Sequence, residues 1–272
     1  DPDSLAHLIE IFRQQRKYCK FIIATGRRLD SALKLMKKHH IPEPSVLITS
    51  SGTEIYHAPE LIADIAWSRH IDYHWNPRAI RRVLHDYPGL ELQPKREQSR
   101  FKISYYIDPE IADIEEIKQL LHQKEFSVNV QMAFGQFLDI LPLRASKGLA
   151  LRYVAEQWGF PLEKVFVAGG SGADEDMMRG NTLATVVANR YHEELSQLTD
   201  LDRIYFSQKP YAAGIIEALE HYEFFDQADV IIPLACEDGE DTARLAFPDK
   251  RIIDVTRTLG IGWGSPKEGV RL

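Results

Sequence analysis

The apolar run Val165-Phe166-Val167-Ala168 breaks into Gly169-Gly170-Ser171-Gly172-Ala173-Asp174-Glu175-Asp176 and then resumes as Met177-Met178. A β-branched and aromatic run closed by glycines reads as a buried strand whose carboxyl end turns tightly into a helix. In open α/β sheets chemistry collects there, because backbone N–H groups and carboxylates converge on one point. Phe21-Ile22-Ile23-Ala24-Thr25-Gly26-Arg27 follows the same grammar. It delivers a hydroxyl, backbone donors and a guanidinium to a strand end, a set suited to a phosphate oxygen. Lys147, after Ser146, opens a helix whose start is already positive, and an anion between the two would remove that conflict.

The organisation around these points alternates. Leu5, Leu8, Ile9 and Phe12 recur at helical spacing and predict a helix over 4–18. Strand 21–24, helix 29–40, strand 46–49 and a tight turn at Ser50-Ser51-Gly52 into Glu54 follow, the signature of βαβ units. After residue 60 the order changes to strand 101–107, helix 111–123 and strands 126–131 and 136–141 joined around Gly135, a small α+β unit. Alternation returns with helix 148–158, strand 165–168, helix 174–180, strands 184–188 and 203–206, and helix 211–221. The expectation is a discontinuous core, 1–58 and 143–225, with residues 60–142 inserted as a second domain. In the remaining 226–272, short strands are expected near 229–234 and 251–255, around the acidic loop 237–241. Beyond Gly260 the composition is that of a flexible tail.

Composition removes several function classes. A net charge of −7 gives no basic footprint for nucleic acid, and the clusters at Arg27-Arg28, Lys37-Lys38 and Arg78 to Arg82 read as solvated helix faces. No apolar run approaches membrane-spanning length, so no membrane is expected. Cys19 and Cys236, far apart in sequence, fit a reducing cytoplasm. His39-His40, His70 and His74 form no zinc pattern.

The loop at Gly169–Met178 resembles the G-D-S-G-N-D-x-x-M loop of sugar phosphatases in the haloacid dehalogenase superfamily, where the first Asp usually holds magnesium. Gly170 and Ala173 occupy the places of that Asp and of the Asn, and Asp174 remains. Phe21 to Arg27 resembles the second motif of that superfamily and Lys147 the third, the lysine that neutralises phosphate and nucleophile. The order Thr25, Lys147, Asp174 leaves a long insertion after motif two, where a type-2 cap belongs. Gly52-Thr53-Glu54-Ile55-Tyr56, Phe101-Lys102-Ile103-Ser104-Tyr105 and Leu138-Asp139-Ile140-Leu141-Pro142 resemble the sucrose-phosphate phosphatase branch. The resemblance covers about residues 5–225 and is greatest to the phosphatase-like domain that ends bacterial sucrose-phosphate synthases, where the fourth motif is similarly degraded.

The resemblance implies an α/β fold with a Rossmann-like core and an inserted α+β type-2 cap. It places Thr25, Gly26, Arg27 and Lys147 at the phosphate, Lys102 and Gln136 at the sugar, and Asp174 as the remnant of a magnesium site that is weak or lost. Family phosphatases also carry an apolar strand ending in D-x-D-x-T, whose first Asp attacks phosphorus and whose second is the general acid and base. Asp1-Pro2-Asp3-Ser4-Leu5 has the spacing, but no apolar strand precedes it and Leu5 replaces Thr, so Asp3 or Ser4 reads as the cap of the next helix. The chain begins with Asp, which we read as a fragment or processed product whose upstream strand has been cut away. A gap or a substitute strand is then expected at the centre of the sheet. The function implied is a sucrose-6-phosphate phosphatase-like domain, catalytically impaired and part of a sucrose-phosphate synthase. Its role would be structural, sugar-phosphate-binding or channelling, beside a glycosyltransferase domain or a separate sucrose phosphatase. The alternative is an active magnesium-dependent sucrose-phosphate phosphatase with motif one upstream, against which Gly170 counts.

Overall fold

The computed structural model describes residues 2–191, 195, 198, 202–225, 230–231 and 251–252. Two compact units divide the chain, Asp1–Ala218 and Leu219–Leu272.

The first unit opens with α1 (Pro2–Gln15), which turns Leu8 and Ile9 inward and stacks Phe12 on Phe21 at 4.4 Å. It begins two residues before the expected start, with Pro2 at a position where a helix needs no N–H. Strand β1 (Ile22–Ala24), α2 (Leu29–Lys38), β2 (Val46–Thr49), β3 (Glu54–His57) and β4 (Ile62–Ala63) follow. They form a sheet ordered β1-β2-β3-β4, parallel between β1 and β2 and antiparallel beyond. All four residues of β2 are buried, which accounts for the unbroken apolar run Val46-Leu47-Ile48.

A second parallel sheet is ordered β11-β10-β9, from β9 (Phe166–Gly169), β10 (Leu183–Val186) and β11 (Ile204–Phe206). The alternating elements therefore do not close into one sheet. β1 ends one sheet, β9 ends the other, and every residue of β1 is only half-buried although its neighbour β2 is wholly buried. This is the interruption expected at the centre of the core. Both sheets nevertheless share one hydrophobic cluster, in which Val46, Ile48, Val167, Ala184 and Val186 meet Leu151 and Val154 of α6 (Lys147–Gln157). α7 (Glu175–Met178) is shorter than the expected 174–180, because Arg179 is extended and Gly180 has φ +88°.

Between β4 and α6 lies a third layer. Helices α3 (Ile65–Ile71) and α4 (Pro77–Val83) and strand β5 (Leu90–Leu92) lead into β6 (Ile103–Ile107), α5 (Ile114–Gln123), β7 (Val128–Ala133) and β8 (Phe137–Pro142). The strands form an antiparallel sheet ordered β5-β6-β8-β7. One face carries Ile103, Tyr105, Leu138 and Ile140 against Ile80, Ile117 and Leu121, a separate hydrophobic cluster. Side chains alternate along a strand, so Ser104 and Asp139, paired across β6 and β8, point to the other face. α3 and Phe101, two residues before β6, belong elsewhere: Trp67, Ile71 and Phe101 pack into the first cluster. The helix expected over 111–123 starts at Ile114, because Asp113 caps it by accepting from Glu115 N. Strands expected at 126–131 and 136–141 lie one to two residues later, around a turn with Phe134 and Gly135 both left-handed.

In the second unit β12 (Val230–Ile231) pairs in parallel with β13 (Arg251–Ile252), within the two strands expected there. The acidic loop 237–241 and the stretch beyond Gly260 lie outside the described residues. Among the described residues no helix is long and apolar enough to cross a membrane.

Candidate functional site

Ser146 caps α6 by accepting from Leu149 N at 3.0 Å, which fixes Lys147 as the first residue of the helix. Asp174 sits in the turn after β9. Its Oδ1 accepts from Lys147 Nζ at 2.7 Å, and its Oδ2 accepts from Gly170 N at 3.0 Å, Ser171 N at 3.1 Å and Ser171 Oγ at 3.1 Å. Burial pushes the Asp174 carboxyl up, but the Lys147 ammonium and the Gly170 and Ser171 N–H groups outweigh it and hold it below the ordinary carboxylate range. The anion that relieves a lysine at a helix start is thus a side chain of this chain.

A second carboxylate, which sequence reasoning left without a place, completes the end of α6. Asp176 accepts from Gly148 N through both oxygens, at 3.2 and 3.1 Å. Arg152 Nη2 holds the backbone of the same turn, bonding Asp176 O at 2.7 Å and Arg179 O at 2.8 Å. Burial raises the Asp176 carboxyl, and the Ser146 hydroxyl, the Gly148 N–H and Arg152 only partly oppose it. Its i+2 offset from Asp174 gave no signal, since neighbours at that spacing do not share a helix face.

The motif-two loop is tied to this end of α6 through Ser50-Ser51-Gly52, three successive left-handed residues. Ser51 N donates to Thr25 O at 3.1 Å, and Trp67 Nε1 donates to Gly52 O at 3.1 Å. A Cβ on Gly52 would lie 2.1 Å from the carbonyl carbon of Ser146 and 2.5 Å from Lys147 N. The turn seen in the sequence is therefore also a point of contact, linking Thr25 through Ser51 and Gly52 to Lys147 and so to Asp174.

The other expected residues divide. Lys102, buried, donates to Gly26 O at 3.2 Å and stands 3.6 Å from Asp139. Arg27 is exposed and spends Nη1 on Ser31 Oγ, 3.3 Å away on α2, while its N–H bonds Thr25 Oγ1 at 3.2 Å. Gln136 is exposed beside Gly135, whose turn packs against Tyr191: a Cβ on Gly135 would lie 2.1 Å from the Tyr191 hydroxyl. Thr25, Gly26, Lys102, Lys147 and Asp174 thus form one contact chain, which Arg27 joins through its backbone alone, while its guanidinium contact with Ser31 and the contacts of Gln136 lie outside it.

Magnesium is the metal that the resemblance implies, and the residues present do not fit it. A hard divalent cation takes carboxylates in near-octahedral geometry. Gly170 offers none, and both oxygens of Asp174 are taken by Lys147, Gly170 and Ser171. Among the described residues no group of three or more His, Cys, Asp or Glu side chains is placed to hold a metal ion.

Parallel strands ending at Ala24, just before Thr25, and at Gly169, an inserted antiparallel sheet with helices, and a lysine-opened helix between them define the class: an α/β haloacid dehalogenase fold with a cap. The profile of the sucrose-6F-phosphate phosphohydrolase family matches residues 1–223, and the chain belongs to that family. It is similar to the Arabidopsis thaliana protein "Probable sucrose-phosphatase 3a", 29% identical over 74% of this chain, but spans only 50% of that relative. It is 28% identical to a mannosylfructose-phosphate phosphatase of Agrobacterium fabrum, over 74% of this chain and 82% of that one. A solved sucrose-phosphatase from Synechocystis, in complex with sucrose and phosphate, superposes with a TM-score of 0.78 at 29% identity, over 82% of this chain and 92% of that chain.

Proposed function

We propose that this chain is a sucrose-6-phosphate phosphatase-like domain of sucrose biosynthesis that has exchanged catalysis for a structural, sugar-phosphate-binding or channelling role. We place it in a sucrose-phosphate synthase, in the cytoplasm, beside a glycosyltransferase domain or a separate sucrose phosphatase. Residues 1–58 and 143–225 are its core, 60–142 its cap and 226–272 a tail. Family membership supports the substrate class. One observation carries the loss of catalysis: Lys147 holds Asp174 in a buried ion pair, beside Gly170 where the family motif has a metal-binding Asp.

Phosphoryl transfer in this superfamily needs a nucleophilic carboxylate and a metal that offsets the phosphate charge. Losing the metal alone costs several powers of ten in rate, more than the positioning supplied by Thr25 and Gly26 recovers. What remains suits binding. The Thr25 hydroxyl and the Lys102 and Lys147 ammonium groups are donors for a phosphate, once released from their present partners.

Phosphate release from sucrose 6-phosphate in magnesium buffer tests the loss of activity, and wild type is expected at background. Robust turnover abolished by Asp174→Ala would instead establish an active magnesium-dependent phosphatase. Calorimetric titration with sucrose 6-phosphate and with inorganic phosphate tests the binding. Selective sugar-phosphate binding supports sensing or channelling, and no heat from either ligand in folded protein leaves the structural role alone.

A further inference from the structure

The cap sheet meets the motif-two loops through one buried polar knot. Asp139 on β8 takes the Ser104 hydroxyl of β6 on Oδ1 at 2.6 Å and the Ser51 hydroxyl of the core on Oδ2, also at 2.6 Å. Lys102 stands 3.6 Å from the same carboxylate and bonds the Gly26 carbonyl at 3.2 Å. Ser51, Ser104 and Lys102 are all at most 5% exposed. The ammonium is withdrawn from water while the Asp139 side chain keeps 19% exposure, so parting the two means rehydrating Lys102 beside a carboxylate that water already reaches.

We propose that Ser51, Asp139 and Lys102 form a latch that regulates access to the site between cap and core. Closed, it commits Lys102 to Gly26 and Ser51 to Asp139. Open, it frees the Lys102 ammonium and the Ser51 hydroxyl beside Thr25. This rests on the sugar-phosphate reading above and specifies its regulation: a phosphorylated sugar enters only after the latch parts. Ser51 and Ser104 make bonds of equal length to one carboxylate from opposite sides, but only the Ser51 bond crosses from core to cap. A hydroxyl bond to a charged group is strong enough to bias such an equilibrium roughly ten-fold or more.

The symmetry supplies the experiment. Ligand-free full chain is pulse-labelled with an amine-reactive ester, and modification of Lys102 is followed by mass spectrometry alongside hydrogen exchange. Ser51→Ala should raise both the Lys102 labelling rate and the exchange of the Ser50–Thr53 and Ile103–Ile107 segments roughly ten-fold. Ser104→Ala should leave Lys102 labelling near wild type, and Asp139→Asn, a second way to part the latch, should follow Ser51→Ala. Equal labelling in Ser51→Ala and Ser104→Ala, or no change in Ser51→Ala and Asp139→Asn, overturns the latch. Adding sucrose 6-phosphate separates the two readings. If no variant binds it while Lys102 labelling still follows Ser51, the sugar-phosphate reading and the regulation proposed for it fail together, and the opening motion alone remains.

Discussion

Lys147 and Asp174 stand 2.7 Å apart, nitrogen to oxygen, with side chains only 8% and 14% exposed. In bulk water such a pair contributes little, but here each partner has been taken out of solvent and relies on the other. Removing one leaves a buried charge without its counter-ion.

Lys147→Ala and Asp174→Asn are therefore each expected to lower stability by about 3–5 kcal/mol, the cost of breaking a buried pair from one side. The double variant should cost less than the sum, because neither charge is then left alone. Urea denaturation of the four proteins closes the cycle. Additive losses would mean that the two side chains do not depend on each other.

Gly52 carries a different constraint, from sterics alone. Its φ is +93°, and an added Cβ would meet the Ser146 carbonyl group at 2.1 Å. Both atoms are backbone, so no rotamer change relieves the clash, and Gly52→Ala is expected to cost more than about 4 kcal/mol and to displace the start of α6. Gly159 is the control, with φ +67° and nothing within 4 Å of an added Cβ. Gly159→Ala should cost only about 1–2 kcal/mol, the price of a left-handed alanine. Thermal denaturation should rank the two variants in that order.

How much of this could be read from the sequence depended on how local each feature is. The helix caps were misplaced, since Asp3 and Ser4 lie inside α1 and Asp113 caps α5 within the expected 111–123; β2 was legible because Val46-Leu47-Ile48 is apolar on both faces. α3 and α4 were not, since seven residues give a periodic pattern too little length to declare itself. Thr25, Lys147 and Asp174 were found through the resemblance, and the structure links them through Ser51 and Gly52. Asp139 looks like the polar half of an alternating strand, and its partner Ser51 lies 88 residues away. Nothing local joins those two. Arg27, just before α2, turns its guanidinium to Ser31 on that helix, a contact that its place beside Thr25 in sequence does not announce.

Magnesium gives a third prediction. Wild type should show no change in Tm on adding magnesium or a chelator, since Gly170 supplies no ligand and Asp174 is fully bonded. Gly170 has room for a side chain: a Cβ there meets Val187 Cγ2 at 3.2 Å, a contact that a small shift relieves. Gly170→Asp should place a second carboxylate beside Asp174 and create a magnesium-dependent rise in Tm of a few degrees, by binding to the folded state alone. Identical melting with and without magnesium in that variant would show that Lys147 still excludes the metal.

Asp174 and Asp176 should respond to pH with opposite signs. The folded carboxyl of Asp174 lies below its unfolded value, so its contribution is fully present above the ordinary carboxylate range and is lost as pH falls through the folded value. Asp176 lies above its unfolded value, so it binds its proton more readily when folded. Its ionisation works against folding at neutral pH, and that penalty disappears as pH falls below the ordinary carboxylate range. Asp176→Asn removes the penalty and keeps an acceptor for Gly148 N, so at pH 7 it is expected to be neutral to about 1 kcal/mol more stable. Asp174→Asn should be clearly less stable there. On acidification the deficit of Asp174→Asn should shrink, and any advantage of Asp176→Asn should shrink as well, because wild type then loses the one contribution and sheds the other penalty. Urea midpoints at pH 7 and at successive steps down to pH 4 measure both trends. An Asp176→Asn variant that loses as much as Asp174→Asn at pH 7 would show that its bonds to the end of α6 outweigh the burial of its charge.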